Sequence, residues 1–201
     1  GTAASVIGGS ITGPGIYTFN DITSEMAVTW GSDISGFTGV VNVTDVASFT
    51  VADPTLLTTG ATFNIGDYRT MTLAPVSDAT LGAATITTIG AGTLNLDAPS
   101  ASTVLTVGSA ANISGVTNID ITQGLLKVTG ANVLSSIAAV TVASGAIFDV
   151  NANQTIARLS NSGAMAIATG VTLTQTGTAA SVIGGSITGP GIYTFNDITS
   201  E

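Results

Sequence analysis

Gly145-Ala146-Ile147-Phe148-Asp149-Val150 sets the reading of this chain: a glycine, a small residue, then apolar side chains alternating with one polar side chain. Side chains on a β-strand alternate between faces, so a period of two marks a strand with one face buried. The glycine ends the preceding turn. No helix of ordinary length fits so short an alternation.

The pattern recurs along the whole chain. It stands at Gly15-Ile16-Tyr17-Thr18-Phe19, Gly39-Val40-Val41-Asn42-Val43, Gly60-Ala61-Thr62-Phe63-Asn64-Ile65 and Gly92-Thr93-Leu94-Asn95-Leu96. It returns at Gly124-Leu125-Leu126-Lys127-Val128, at the opening stretch itself, at Gly170-Val171-Thr172-Leu173, and restarts at Gly191. The intervals between successive leading glycines are 24, 21, 32, 32, 21, 25 and 21. Spacings in the low twenties with short strands fit one coil of a parallel β-helix, each strand lying about 4.8 Å from its equivalent on the next coil. Antiparallel hairpins favour Asn-Gly or Asp-Gly turns, and the chain has neither dipeptide. The one short helix expected is Val133–Ala139.

A longer repeat frames the short one. Residues 1–25, GTAASVIGGSITGPGIYTFNDITSE, are identical to residues 177–201 at all 25 positions, an offset of 176. The glycine intervals, from Gly15 to Gly191, span the same 176. The expected organisation is one full repeat unit of β-helix coils over 1–176 and the start of the next over 177–201, cut from a tandem array. An engineered terminal duplication is the alternative. Seven to nine coils per unit would rise roughly 34–43 Å.

Composition narrows the function classes. Charged residues make up 7% of the chain and hydrophobic residues 44%, against roughly 25% charged in ordinary globular domains. Thr, Ser, Asn and Gly must therefore cover the surface. Twelve carboxylates face three cations (Arg69, Lys127 and Arg158), a formal net charge of −9. Phosphate binding needs Lys and Arg, so nucleic acid is not an expected partner, and anionic membranes are disfavoured by the same sign. No apolar run reaches the 18 or so residues of a membrane-spanning helix, and residues 1–10 lack the basic and apolar regions of a signal peptide. Any secretion signal is expected outside these residues. A cysteine-free, acidic chain rich in Thr, Ala and Gly resembles bacterial cell-surface and secreted proteins.

The stretch from Ile137 to Gly177 resembles the β-strand repeat of autotransporter passenger domains. The resemblance rests on Gly145-Ala146-Ile147-Phe148-Asp149-Val150, then Asn153-Gln154-Thr155-Ile156, Leu159-Ser160 and Gly163 in that order. Asn153 adjoins Gln154 directly, without the intervening residue of the family pattern. The resemblance covers about forty residues. It implies a right-handed parallel β-helix on a bacterial surface and carries no catalytic residue across.

Reactive chemistry is sparse. Histidine and cysteine are absent, which removes imidazole bases, thiolate nucleophiles and the usual zinc sites. Glycoside hydrolysis needs two carboxylates at one cleft, and here they are scattered without an Asp-Asp pair. No catalytic residue, bound cofactor or enzyme activity is expected. Calcium is the one ligand with candidates, namely Asp21, Glu25 and Asp33, although neither an EF-hand nor a calcium-binding nonapeptide is present. Solvated turn carboxylates are the simpler reading. Asp67 and Arg69 are expected to form a surface ion pair, and Trp30, Tyr17, Phe19 and Phe37 to pack at a core or corner rather than serve as a sugar platform. The Asn-x-Ser/Thr sites at Asn42, Asn112 and Asn153 need no glycan. Asn95, Asn118, Asn151 and Asn153 are candidates for amide ladders between coils.

The expected function is a structural repeat unit of an extracellular bacterial filament, stalk or giant adhesin. Its expected partners are identical neighbouring repeats, end to end, with lateral self-association open and no membrane insertion. Alternatives are an adhesin module binding a glycan or host protein through loops in the two 32-residue intervals, or a surface-layer lattice subunit. An outer-membrane β-barrel is weaker still, because 5% aromatics leaves little for two aromatic girdles.

Overall fold

The computed structural model describes residues 4–20, 26–31, 33–57 and 60–196. The chain winds as a parallel β-solenoid of about eight turns, and every strand pairing is parallel. Each coil lays strands on up to three faces. Face one is an unbroken nine-stranded sheet, from Ser5–Ile7 through Ala27–Trp30, Ser48–Val51, Thr70–Leu73, Thr93–Asp97, Asn118–Gln123, Ala139–Val142 and Arg158–Asn161 to Val182–Ile183. Along the strands from Ser5–Ile7 to Arg158–Asn161 alternate side chains face one interior, where a continuous apolar core forms. A parallel strand can be so short because its neighbours above and below satisfy its backbone groups.

Faces two and three are each interrupted once. Face two has Ser10–Gly13 and Asp33–Phe37, then six strands from Ala79–Leu81 to Ser186–Thr188. Between these groups the 3-10 turn Pro54–Leu56 takes the place of a strand, touching both neighbours. Pro54 explains the substitution, since its missing N–H cannot join a ladder. Face three runs from Ile16–Asn20 to Asn112–Gly115 and resumes over Gln154–Ile156, Thr172–Gln175 and Ile192–Phe195. Leu134 spans that gap through a single bridge to Ile113. The buried Gln154 repairs it from above, its Oε1 accepting from the Leu134 N–H (3.1 Å) and its Nε2 donating to the Gly130 carbonyl (2.6 Å).

Three expectations are corrected. The Val133–Ala139 segment is not a helix. Val133 and Leu134 are buried, Leu134 forms a bridge, and Ala139 opens a strand. All eight glycine-led stretches do form strands, but they do not stack into one ladder. Those after Gly15, Gly39, Gly60, Gly170 and Gly191 lie on face three, the one after Gly92 on face one, and those after Gly124 and Gly145 on face two. The two 32-residue intervals are thus places where the marker jumps between faces, not long coils with room for loops. Paired residues on face one mark the true coils: Ser5 with Val28, then Phe49, Met71, Leu94, Ile119, Val140 and Leu159, with Ser160 opposite Val182. The longest step in that series is the one from Leu94 to Ile119, well short of a 32-residue interval.

The third correction concerns the amides. Asn95 lies beside Asp120, and Asn118 beside Thr93, so the expected ladder of Asn95 and Asn118 does not form. Asn153 instead accepts from the Thr172 N–H, and the buried Asn151 Nδ2 has no hydrogen-bond partner. A ladder exists elsewhere, on the outward side of face three: Asn42 Nδ2 donates to Thr18 Oγ1 (3.4 Å), Asn64 Nδ2 to Asn42 Oδ1 (2.9 Å), and Thr87 Oγ1 to Asn64 Oδ1 (2.8 Å).

Candidate functional site at the end coils

The face-one pairings lead, coil by coil, from Val6 to Val182, its own copy in the duplicated segment. The second copy of that segment therefore returns to the same three faces as the first. Val6 pairs upward with Thr29, and its copy Val182 pairs downward with Ser160. Tyr17 pairs upward with Val41, and Tyr193 downward with Leu173. One sequence is thus seen from both sides, once with a coil above it and once with a coil below.

The coil beneath the second copy is chemically unusual. The last inward position on face one runs Ile7, Trp30, Val51, Leu73, Leu96, Ile121 and Val142, then Asn161. On face three the corresponding amide is Gln175, between Ile156 below and Phe195 above. Both are buried, where an unpaired amide costs several kcal/mol, of order 2–7 by transfer scales. Asn161 Nδ2 donates to the Ser186 carbonyl (3.1 Å), and its Oδ1 accepts from the Gly163 N–H (3.1 Å). Gln175 Oε1 accepts from Tyr193 Oη (2.8 Å), Ser181 Oγ (2.9 Å) and the Leu159 N–H (3.2 Å). Burial pushes the Tyr193 hydroxyl up from 10.0 to about 12. A slip of one residue would leave these groups unpaired, so the amides fix the register of the coil above.

At the opposite end the duplicated segment meets an aromatic cluster. The Tyr17 ring lies 6.1 Å from Trp30 and 5.7 Å from Phe37, and Phe19 lies 5.8 Å from Trp30 and 5.2 Å from Phe49. Most of these contacts are edge-to-face, the arrangement ring quadrupoles favour. Trp30 is fully buried and its Nε1 has no hydrogen-bond partner. Its place is in the core, with no face left for a sugar.

Both end coils leave apolar side chains in solvent. Val6 and Ile16 are 76% and 73% exposed at one end, and Val182, Ile192 and Phe195 are 61%, 58% and 60% exposed at the other. Among the described residues, the first and last coils each have a strand edge without a partner, and such edges invite further strand pairing.

The sequence candidates divide. Asp21 and Glu25 lie outside the described residues, and Asp33 is exposed with its N–H donating to the Gly9 carbonyl. Among the described residues no three His, Cys, Asp or Glu side chains group closely enough to hold a metal ion. Asp67 and Asp78 cap the next coil, accepting from the Ala91 and Val104 N–H groups (2.8 and 2.9 Å). Arg69 pairs with Asp45 of the preceding coil at 2.7 Å, not with Asp67. The chain turns at Tyr68 with φ of 56°, so Asp67 and Arg69 do not share a strand face. Partly exposed surface pairs of this kind contribute about 1 kcal/mol or less. Beside the 3-10 turn, face two is indented by a cleft of about 550 Å³ lined by Thr55, Asp78, Thr80, Val104, Thr106 and Lys127.

Sequence reasoning missed Asn161 and Gln175. Their signal was present: in Leu159-Ser160-Asn161 and Leu173-Thr174-Gln175 the alternation calls for an apolar third residue and finds an amide. No protein-family model, curated protein or solved structure matches this chain.

Proposed function

We propose that this chain is a structural repeat unit of an extracellular bacterial surface filament, stalk or giant adhesin, built as a continuous β-solenoid. The carrying observation is the return of the duplicated segment, eight coils on, to the same faces in the same register. Coil-upon-coil continuation leaves no free strand edge between units and covers the inward-facing Phe195 ring. Likeness of the Ile137–Gly177 stretch to autotransporter passengers, and the acidic composition, support the surface location. Positions 1–176 hold ten carboxylates and three cations, so each unit carries −7, and neighbouring fibres repel at low salt.

The mass of the intact native polypeptide in strong denaturant tests this reading. Hundreds of kilodaltons are expected for a covalent array. A mass near 19.7 kDa would remove it.

A second reading, a module that binds a small polar ligand such as a glycan, is favoured by the cleft beside Pro54–Leu56, which has both Asp78 and Lys127 in its walls. Glycan-array binding lost in Thr106→Trp, which fills the cleft, is the expected signature. Binding unchanged in that variant would count against it.

A further inference from the structure

We infer that separate copies of this 201-residue chain join by coil replacement: the last described coil of one copy (residues 180–196) displaces the first coil (4–20) of the next. The two coils have identical side chains, so whatever the first coil offers Ala27–Trp30, Asp33–Phe37 and Val40–Asp45, the last coil offers too. Identity and register of the two coils suffice.

The alternative is whole-chain stacking, with the last coil of one copy against the first coil of another. That arrangement sets Ser5 and Tyr17 over Ser181 and Tyr193, like upon like. The Tyr193 and Ser181 hydroxyls are seen to fit an amide beneath, Gln175, and the Tyr17 and Phe19 rings are seen to fit Trp30, Phe37 and Phe49 above. Of these two ways for separate copies to meet, replacement is the one that gives a single coil both environments at once. It also conserves coil-to-coil interfaces, because the surface that the displaced coil uncovers is covered again by an identical coil. The displaced coil regains chain entropy, which opposes the cost of association.

Cysteine pairs decide the matter, since the chain has no cysteine of its own. Replacement brings position 182 into the place of Val6, opposite Thr29. In the double variant Thr29→Cys with Val182→Cys, mild oxidation is expected to give a ladder of disulfide-linked chains. Within one copy the two positions are seven coils apart, about 34 Å at 4.8 Å per coil, beyond disulfide reach. The variant Val6→Cys with Val182→Cys is expected to stay uncrosslinked. A ladder from this second pair instead would establish whole-chain stacking and overturn the proposal, as would monomers from both. The unmodified chain gives an independent measure: replacement predicts an axial repeat of about 38 Å per chain, and whole-chain stacking about 43 Å. Failure here leaves the covalent-array reading standing, because that reading is judged by polypeptide mass.

Discussion

Residues 4–20 and 180–196 have the same sequence and occupy the same three faces, yet they are held by different forces. The first copy lies against rings: Tyr17 and Phe19 meet Trp30, Phe37 and Phe49. The second lies on amides, with Asn161 and Gln175 bonding to Ser186, Ser181 and Tyr193. Dispersion and apolar burial supply adhesion on one side, and hydrogen bonds of fixed direction supply register on the other. A coil able to join two different neighbours needs both. Adhesion alone tolerates slippage between strands, and buried amides alone add little net stability.

The largest effect expected from separating the two environments comes at Phe49. It is fully buried and touches Phe19, Trp30 and Phe63. Phe49→Ala is expected to cost about 3–5 kcal/mol, read as a lowered urea midpoint. Because Trp30 is the single tryptophan, its fluorescence should shift to the red and report loosening of the aromatic side specifically. An unchanged emission maximum would mean that the first coil does not depend on this cluster.

Gln175→Leu attacks the other side. It keeps the volume but removes the acceptor for Tyr193, Ser181 and the Leu159 N–H. A loss of about 2–3 kcal/mol is expected from leaving buried donors unpaired. Hydrogen exchange should accelerate in residues 180–196 and not in residues 4–20. Equal acceleration in both would show that the amide supports the whole rod rather than the coil above it.

A pair of glycines gives a position-matched comparison. A Cβ at Gly191 would collide with Ile167 and Ala168 of the coil beneath, whereas at Gly15 it would meet nothing within 4 Å. Neither glycine has a positive φ, so crowding alone separates them. Gly191→Ala is expected to cost about 1–3 kcal/mol. Gly15→Ala should be neutral or stabilise by up to about 1 kcal/mol through the unfolded state. If residues 1–25 and 177–201 fuse into one coil within an array, the tolerance at Gly15 disappears. Thermal denaturation of both variants, alone and in a two-unit fusion, makes the comparison.

The fold was readable because a half-buried strand must alternate, and Gly39-Val40-Val41-Asn42-Val43 or Gly145-Ala146-Ile147-Phe148-Asp149-Val150 cannot alternate otherwise. Which face each strand joins was not readable. Glycine marks the end of a turn, and a three-faced coil has three turns, so Gly60, Gly92 and Gly124 mark different corners. The 176-residue period was legible, but its division into coils needed the pairings. Local spacing also could not place Arg69 beside Asp45, since their contact belongs to successive coils. The junction amides were overlooked for another reason: Asn and Gln at strand ends read as solvent-facing until the register turns them inward.

The smallest effect expected is a pH dependence at Tyr193 of the second copy. The folded Tyr193 hydroxyl titrates near 12, above its ordinary 10.0, because burial disfavours the phenolate. The unfolded chain then loses its proton first as pH rises, so the folded state binds more protons between the two values. Stability from this group is fully present below about pH 10 and is lost progressively toward pH 12. Tyr193 remains partly exposed, so solvent screening reduces the effect to roughly 1 kcal/mol or less. Tyr193→Phe should flatten the urea midpoint against pH between 10 and 12 relative to the unmodified chain. If coil replacement occurs, Tyr193 is buried further under Trp30 and Phe37 of the next copy, and the fall in stability should move to still higher pH on assembly. An identical pH profile for monomer and assembled fibre would mean that the second copy gains no cover when copies join.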